Sequence, residues 1–318
     1  MNEFAYRAAE ARLWRHYRTE PSETFVHLPV TDSRVRVQDA GQGQPILLLH
    51  GGPNAGSTWA PLAPHLRDFR LLLVDRPGTG LSEPFAIRTD NLAEVGARFV
   101  AEVLDGIEVE RAHVVASSFG GHLALRSAAR TPERFLRMVQ MACPALVPDD
   151  HMPKFMKRLA NPLVRWIAAR IRPTREMGDD ILRQIGHGAS IDAGRLPDAV
   201  QAWYLDLQRF TDTRRNDFAL IASMVRDPET ARLLQSDFEA VTVPTLFLWG
   251  EDDTFGGEPV ARAIVEWMPD AELRMLPAAG HLPWLDFPDG LAEQVEGFLR
   301  RPAGFDGASD ASFARGTT

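Results

Sequence analysis

The segment Val-Val-Ala-Ser-Ser-Phe-Gly-Gly-His at 114–122 ends an apolar β run on a small residue, then presents serine and a glycine-opened helical stretch. Read as small-x-Ser-x-Gly, it puts Ala116, Ser118 and Gly120 at the motif positions of a tight strand-to-helix turn. Such a turn lifts one hydroxyl above the end of a sheet, and small flanking residues are required because strand and helix backbones pass close together. Counting from Ser117 would instead place Val115 and Phe119 where small residues belong. Ser118 is therefore the candidate nucleophile. A serine hydroxyl attacks poorly at neutral pH unless a base removes its proton, and the base needs an acid to orient it. His281, in Ala-Gly-His-Leu-Pro at 279–283, is the candidate base, and Asp253, in Gly-Glu-Asp-Asp-Thr at 250–254, the candidate acid. The oxyanion that forms on a carbonyl needs two backbone N–H donors. Phe119, next after the serine, offers one; Gly52 in His50-Gly51-Gly52-Pro53 offers the other, since Pro53 has no N–H.

Each assignment has a rival. Ser118 as a mere helix N-cap would leave Gly120 and Gly121 unexplained. Asp252 competes with Asp253 for the acid role, and Asp149 or Asp150 could supply an acid after the strand near 138–141, although both lie far past its end. His50 reads as a brace for the glycine loop, His122 as a packed or solvent-facing helix residue, and Asp75 as the tie of its own turn.

The candidate residues run in the order serine, acid, histidine, which separates them from the chymotrypsin and subtilisin orders. His50-Gly51-Gly52-Pro53 follows the apolar run at 45–49, and Asp75-Arg76-Pro77-Gly78-Thr79-Gly80-Leu81-Ser82 matches a D-x-P-G-x-G-x-S turn. With these motifs in this sequence, the chain resembles an α/β-hydrolase fold serine hydrolase, esterase- or lactonase-like, over roughly residues 24–300. Ala116 departs from the family's usual first elbow glycine, a change that the turn tolerates. The resemblance favours Asp253 over Asp252 from its spacing after Gly250. It also implies that an insertion at 146–240 is a helical cap over the active site.

Stepwise along the chain, the elements that must position these residues alternate between strand and helix. Residues 2–18 read as an amphipathic helix with Phe4, Ala8, Leu13, Trp14 and Tyr17 near one face, ended by Pro21. Thr24–Val30 and Arg34–Gln38 read as a hairpin, followed by strands at Ile46–Leu49, Arg70–Val74, His113–Ala116, Met138–Met141, Thr245–Trp249 and Glu272–Leu276. Helices near 91–104, 119–129, 259–267 and 290–300 separate them. This pattern predicts an α/β protein with a doubly wound, mostly parallel sheet. The expected organisation is an N-terminal helical extension at 1–20, a core at 21–145 and 241–300, the cap at 146–240, and a disordered tail at 301–318. In the insertion, Phe155, Leu159, Leu163, Trp166, Ile167 and Ile171 recur with helical periodicity. Trp59, Trp166, Trp203, Tyr204, Leu282 and Trp284 are the candidate pocket residues.

Composition bounds the partners. A net charge of −8 argues against nucleic acid or an anionic membrane as a general partner. The basic run Lys154, Lys157, Arg158, Arg165, Arg170, Arg172 and Arg175 is read first as a solvated helix face, with an anionic substrate or partner as the alternative. Cys143 is the sole cysteine, so no intramolecular disulfide can form; it reads as a small core residue, and a cytoplasmic setting is expected. No apolar run reaches the ~20 residues needed to span a bilayer. No metal cluster, phosphate loop or dinucleotide fingerprint is present, so neither metal nor cofactor is expected. The reaction expected is hydrolysis of a small-molecule carboxylic ester or lactone through an acyl-enzyme. Other readings stay open on the same residues: a peptidase similar to proline iminopeptidases, a carbon–carbon bond hydrolase, an acyltransferase, or a non-catalytic ligand-binding protein. Proline iminopeptidases usually have tryptophan where Phe119 stands, and meta-cleavage hydrolases usually have it where Leu282 stands. Ser118 excludes the aspartate-nucleophile chemistry of dehalogenases and epoxide hydrolases.

Overall fold

The computed structural model describes residues 1–302; the remainder of the expected tail lies outside the described residues. Eight strands form one sheet: β1 (Ser22–Leu28), β2 (Ser33–Gly41), β3 (Gln44–Leu49), β4 (Phe69–Val74), β5 (Ala112–Ser117), β6 (Phe135–Met141), β7 (Thr245–Gly250) and β8 (Ala271–Leu276). Their spatial order is β1-β2-β4-β3-β5-β6-β7-β8. The first two pairings, β1–β2 and β2–β4, are antiparallel, and all the others are parallel. The expected hairpin and doubly wound sheet are both present.

The apolar strand runs follow from this arrangement. A parallel sheet is covered on both faces, so its inner strands carry apolar residues at successive positions. Alternation along each strand then divides those residues between two cores. Leu47, Leu49, Leu72, Val74, Val114 and Ala116 face one core; Ile46, Leu48, Leu71, Leu73 and Val115 face the other. The first core is completed by helices α2 (Thr89–Gly106) and α3 (Ser118–Arg130). Helix α1 (Glu3–His16) lies on the second, where Tyr6, Leu13 and Trp14 are buried. Each fully buried Leu or Val side chain contributes about 1.5–3 kcal/mol of burial free energy.

Between β6 and β7 the chain runs through short helices: α4 (Lys154–Lys157), α5 (Pro162–Ala168), α6 (Arg175–Gln184), α7 (Gly188–Asp192), α8 (Asp198–Phe210), α9 (Thr213–Arg226) and α10 (Gln235–Glu239). This insertion joins both cores, Trp203 and Leu207 of α8 entering one and Leu220 and Phe238 the other. Helix α1 packs on α8 as well as on the sheet. Its Glu10 reaches a buried cluster, where Arg36 Nη2 donates to Glu10 Oε2 at 2.5 Å and Ser57 Oγ donates to Glu10 Oε1 at 2.6 Å. The N-terminal helix is thus pinned by a charge that has been removed from water, a tie that apolar periodicity cannot reveal. The last segment holds α11 (Glu258–Trp267), α12 (Pro283–Asp286) and α13 (Pro288–Leu299). Among the described residues, no helix is long and apolar enough to cross a membrane.

Candidate active site

Every loop following a parallel strand opens at the same edge of the sheet, so the loops after β3, β5, β7 and β8 converge there. Ser118 sits directly after β5 with φ of 51°, in the left-handed region that a non-glycine residue enters at a cost of order 1–3 kcal/mol. The turn is held by close packing. A Cβ on Gly120 would stand 2.3 Å from the Leu49 carbonyl oxygen, and one on Gly121 would stand 2.1 Å from Gln140 Oε1. The glycines allow α3 to leave the strand at this angle. The first turn of α3 has no side-chain cap, so its leading amides, that of Phe119 among them, stay free for an incoming acceptor.

The two adjacent serines differ in environment. Ser117 is fully buried and its hydroxyl has no hydrogen-bond partner, whereas Ser118 is partly exposed. The glycine loop lies against Ser118: a Cβ on Gly51 would be 2.8 Å from Ser118 Cβ. The Gly52 amide donates to no group among the described residues.

After β7, Asp253 is 5% exposed, whereas Asp252 is exposed to solvent. His281 Nδ1 lies 3.0 Å from each Asp253 carboxylate oxygen. Asp253 also accepts the Cys143 N–H at 2.9 Å on Oδ2 and the Phe255 N–H at 2.9 Å on Oδ1. Three donors thus converge on one buried carboxylate and fix its position. With Nδ1 donating, Nε2 of His281 is left as an acceptor. Phe255 stacks on the imidazole at 4.1 Å between centroids and screens it from water. The alternative acids stand elsewhere: Asp150 accepts the Leu146 N–H at 3.1 Å and is held by Arg232.

His50 and His122 are occupied by the scaffold. His50 Nδ1 lies 2.6 Å from the Gly51 oxygen, and burial holds its pKa well below the usual range, with Arg76 adding to the effect. Burial pushes His122 down to about 3, and its Nδ1 donates to the Ala145 oxygen. Asp75 accepts the Gly56 and Leu81 amides at 2.7 and 3.0 Å, closing its own turn and joining it to the next loop. Cys143 is buried with a free thiol, and burial raises its pKa.

Three of the pocket candidates are corrected. Trp59 and Trp284 are fully buried and pack on each other at 4.2 Å, and Trp203 is 2% exposed in the same core. They belong to the core and offer no wall to a ligand. Trp166 goes the other way and stands 55% exposed on α5. Tyr204 and Leu282 are half-buried. A cavity of about 410 Å³ is lined by Arg76, Phe85, Ile87, Arg165, Asp217 and Leu220 among others. None of the aromatic candidates lines it.

Two polar networks about the site went unrecognised in the sequence. Arg76 is fully buried; its guanidinium donates to the His50 and Gly51 carbonyls at 3.1 and 3.0 Å and to Asp217 of α9 at 2.9 Å. It also lies 4.9 Å over the Phe119 ring, so one cation ties the glycine loop, the elbow and the insertion together. Burial raises the Asp217 carboxyl above its ordinary range, with Arg76 opposing that shift. The second network joins the insertion to the His281 loop. His187 and Asp286 are buried, with Nδ1 2.9 Å from Asp286 Oδ2, and Ser190 Oγ donates to the same carboxylate. The Leu282 amide donates to His187 Nε2 at 3.0 Å, and the His281 amide to the Ile185 carbonyl at 2.9 Å. No local pattern marks these partners, because they lie roughly a hundred positions apart. His187→Phe is expected to lower stability by about 1–3 kcal/mol, since it takes one donor from a buried carboxylate that keeps the Ser190 hydroxyl and the Gly280 amide, and leaves the Leu282 amide without its acceptor. Urea unfolding checks this, and a loss below about 1 kcal/mol would show Asp286 satisfied by its other donors.

The model of the alpha/beta hydrolase family matches residues 46–294. The chain belongs to the alpha/beta hydrolase family. It is accordingly a hydrolase. A 2-hydroxy-6-oxononadienedioate/2-hydroxy-6-oxononatrienedioate hydrolase of Cupriavidus pinatubonensis is 27% identical over 277 residues, covering 85% of this chain and 91% of that protein. A 2-hydroxy-6-oxo-6-phenylhexa-2,4-dienoate hydrolase of Burkholderia cepacia is likewise 27% identical, over 85% of this chain and 92% of its own. Among solved structures, a carboxylesterase of Bacillus subtilis superposes with a TM-score of 0.72 at 20% identity, covering 94% of this hydrolase and 98% of that chain. That likeness speaks for the fold.

Proposed function

We propose that this hydrolase cleaves a carboxylic ester or lactone through an acyl-enzyme on Ser118, with His281 as base and Asp253 as its orienting acid. The observation carrying the reading is the buried Asp253–His281 pair at 3.0 Å, which leaves Nε2 free to accept a proton at the edge where the strained Ser118 hydroxyl emerges. In the first step the Ser118 Oγ–H proton moves to His281 Nε2 as Oγ bonds to the carbonyl carbon. The tetrahedral oxyanion takes hydrogen bonds from the Phe119 and Gly52 amides; each such donor is worth about 3–4 kcal/mol in the transition state. His281 then protonates the leaving oxygen, and the acyl-enzyme forms. Water, deprotonated by the same imidazole, releases the acid and restores Ser118. The helices at 146–240 act in this reading as a cap whose contacts with the 281–286 loop and with the glycine loop link substrate cover to catalytic parts. A cytoplasmic setting accompanies it.

A second reading is hydrolysis of a carbon–carbon bond in an oxo-dienoic acid, favoured by the names of the relatives above. Against it stands Leu282, an aliphatic residue directly after His281 where those enzymes usually have tryptophan. The test is one panel: p-nitrophenyl esters of graded acyl length, lactones, a prolyl amide and a 2-hydroxy-6-oxo-dienoic acid, each assayed with wild type and Ser118→Ala. Ester or lactone turnover that disappears in the variant is the expected result. Turnover of the dienoic acid alone would replace the first reading by the second. A folded wild type inert toward the whole panel would defeat both.

A further inference from the structure

The net charge of −8 conceals a local surplus of the opposite sign. Between Met152 and Arg175 the chain contains no Asp or Glu. Among the described residues, Lys154, Lys157, Arg158, Arg165, Arg170 and Arg172 have no carboxylate within 4.0 Å, although other surface arginines, such as Arg98 and Arg300, are paired. The surplus coincides with an unpartnered apolar face. Helix α5 buries none of its residues, and Leu163, Val164, Trp166 and Ile167 are 39–65% exposed, with Ile171 just beyond at 45%. Leu163 and Ile167 are one turn apart, and Trp166 flanks them, so they form one outward stripe. The Arg170 guanidinium lies 4.1 Å over the Trp166 ring, holding an aromatic and a cation side by side at the surface.

We propose that the α4–α5 face docks the protein onto an anionic lipid surface, with Leu163, Trp166 and Ile167 entering the headgroup boundary and the surrounding cations meeting lipid phosphates and carboxylates. An apolar stripe flanked by Lys and Arg and containing tryptophan is the composition of a segment that lies in the membrane interface. The energetic reason is paired. Water contact leaves the stripe's apolar area unburied, and five exposed, uncompensated cations, Lys154, Lys157, Arg158, Arg170 and Arg172, repel one another until counter-charge arrives. A second copy of this chain would bury the stripe but bring the cations face to face, so charge favours lipid over self-association. This surface, and not the whole-chain charge, decides the membrane question. The inference goes beyond the proposed reaction and stands without it.

The experiment is flotation of the full chain with vesicles rich in phosphatidylserine, against vesicles of phosphatidylcholine alone. The expected result is binding to the first and not the second, weakened as salt screens the charges. Each basic side chain near such a surface is worth about five-fold in partitioning, so Lys157→Ala/Arg158→Ala/Arg170→Ala should bind about 10²-fold more weakly. Trp166→Ser/Ile167→Ser should lose about ten-fold or more. Thermal melting verifies that the exposed substitutions leave the fold intact, and the salt dependence of the wild type tests the idea without any variant. Absence of binding to anionic vesicles at low salt would overturn the proposal. So would binding that neither variant weakens. A concentration-dependent dimer that Trp166→Ser/Ile167→Ser dissociates, without vesicle binding, would overturn it and assign the face to a second copy.

Discussion

Ser118→Ala is expected to lower hydrolysis by about 10⁶-fold while leaving the melting temperature where it is, the scale seen when a catalytic serine is removed. The reason for so large a loss is chemical: in the proposed reaction the Ser118 oxygen is the atom that bonds to the carbonyl carbon, and a methyl group cannot replace it. The reason for unchanged stability is conformational. The Ser118 hydroxyl makes no hydrogen bond to protein among the described residues, the backbone bond that its carbonyl accepts from the Ala145 amide is kept, and alanine meets the same φ of 51°. Ser117→Ala supplies the comparison. That hydroxyl is buried without a partner, so removing it should be neutral or slightly stabilising and should leave most of the activity. Initial rates of both variants on the best ester, normalised by the concentration of folded protein, decide the matter. Turnover by Ser118→Ala within ten-fold of wild type would remove the acyl-enzyme from consideration.

Asp253→Asn should cost about 10⁴ in kcat, and Asp252→Asn almost nothing. Asp253 accepts three N–H groups, from Cys143, Phe255 and His281, and a carboxylate has oxygens enough for all three. An asparagine has one oxygen. Its amide nitrogen must then face one of those donors, or turn the His281 ring to the tautomer that points a proton at Ser118. The second outcome removes the base, and in the first the donor left unmatched in a buried site costs about 1–3 kcal/mol of stability. Asp252 is exposed, and its loss is borne by solvent. Equal rates for Asp253→Asn and wild type, or a larger loss in Asp252→Asn, would move the acid elsewhere.

The strands and the candidate catalytic residue types could be read directly from the chain because local geometry restricts them. A strand buried on both faces must be apolar throughout, as at 46–49 and 246–249, and a turn as tight as that at Ser118 accepts only small neighbours. Positions whose role depends on depth were not legible. Tryptophans look alike in sequence whether they lie in the core, as Trp59, Trp203 and Trp284 do, or in solvent, as Trp166 does. Periodicity marks an apolar face but does not say whether anything covers it, and for α5 nothing in the described chain does. Partners for buried charges were equally hidden. Arg76 meets Asp217, and His187 meets Asp286, only because the insertion folds back across the sheet's edge. The order of serine, acid and histidine, and the sheet that carries them, follow from steric rules acting over a few residues. Which face meets solvent, and which charges neutralise one another, depend on contacts between segments far apart in the chain, and those exist only after it folds.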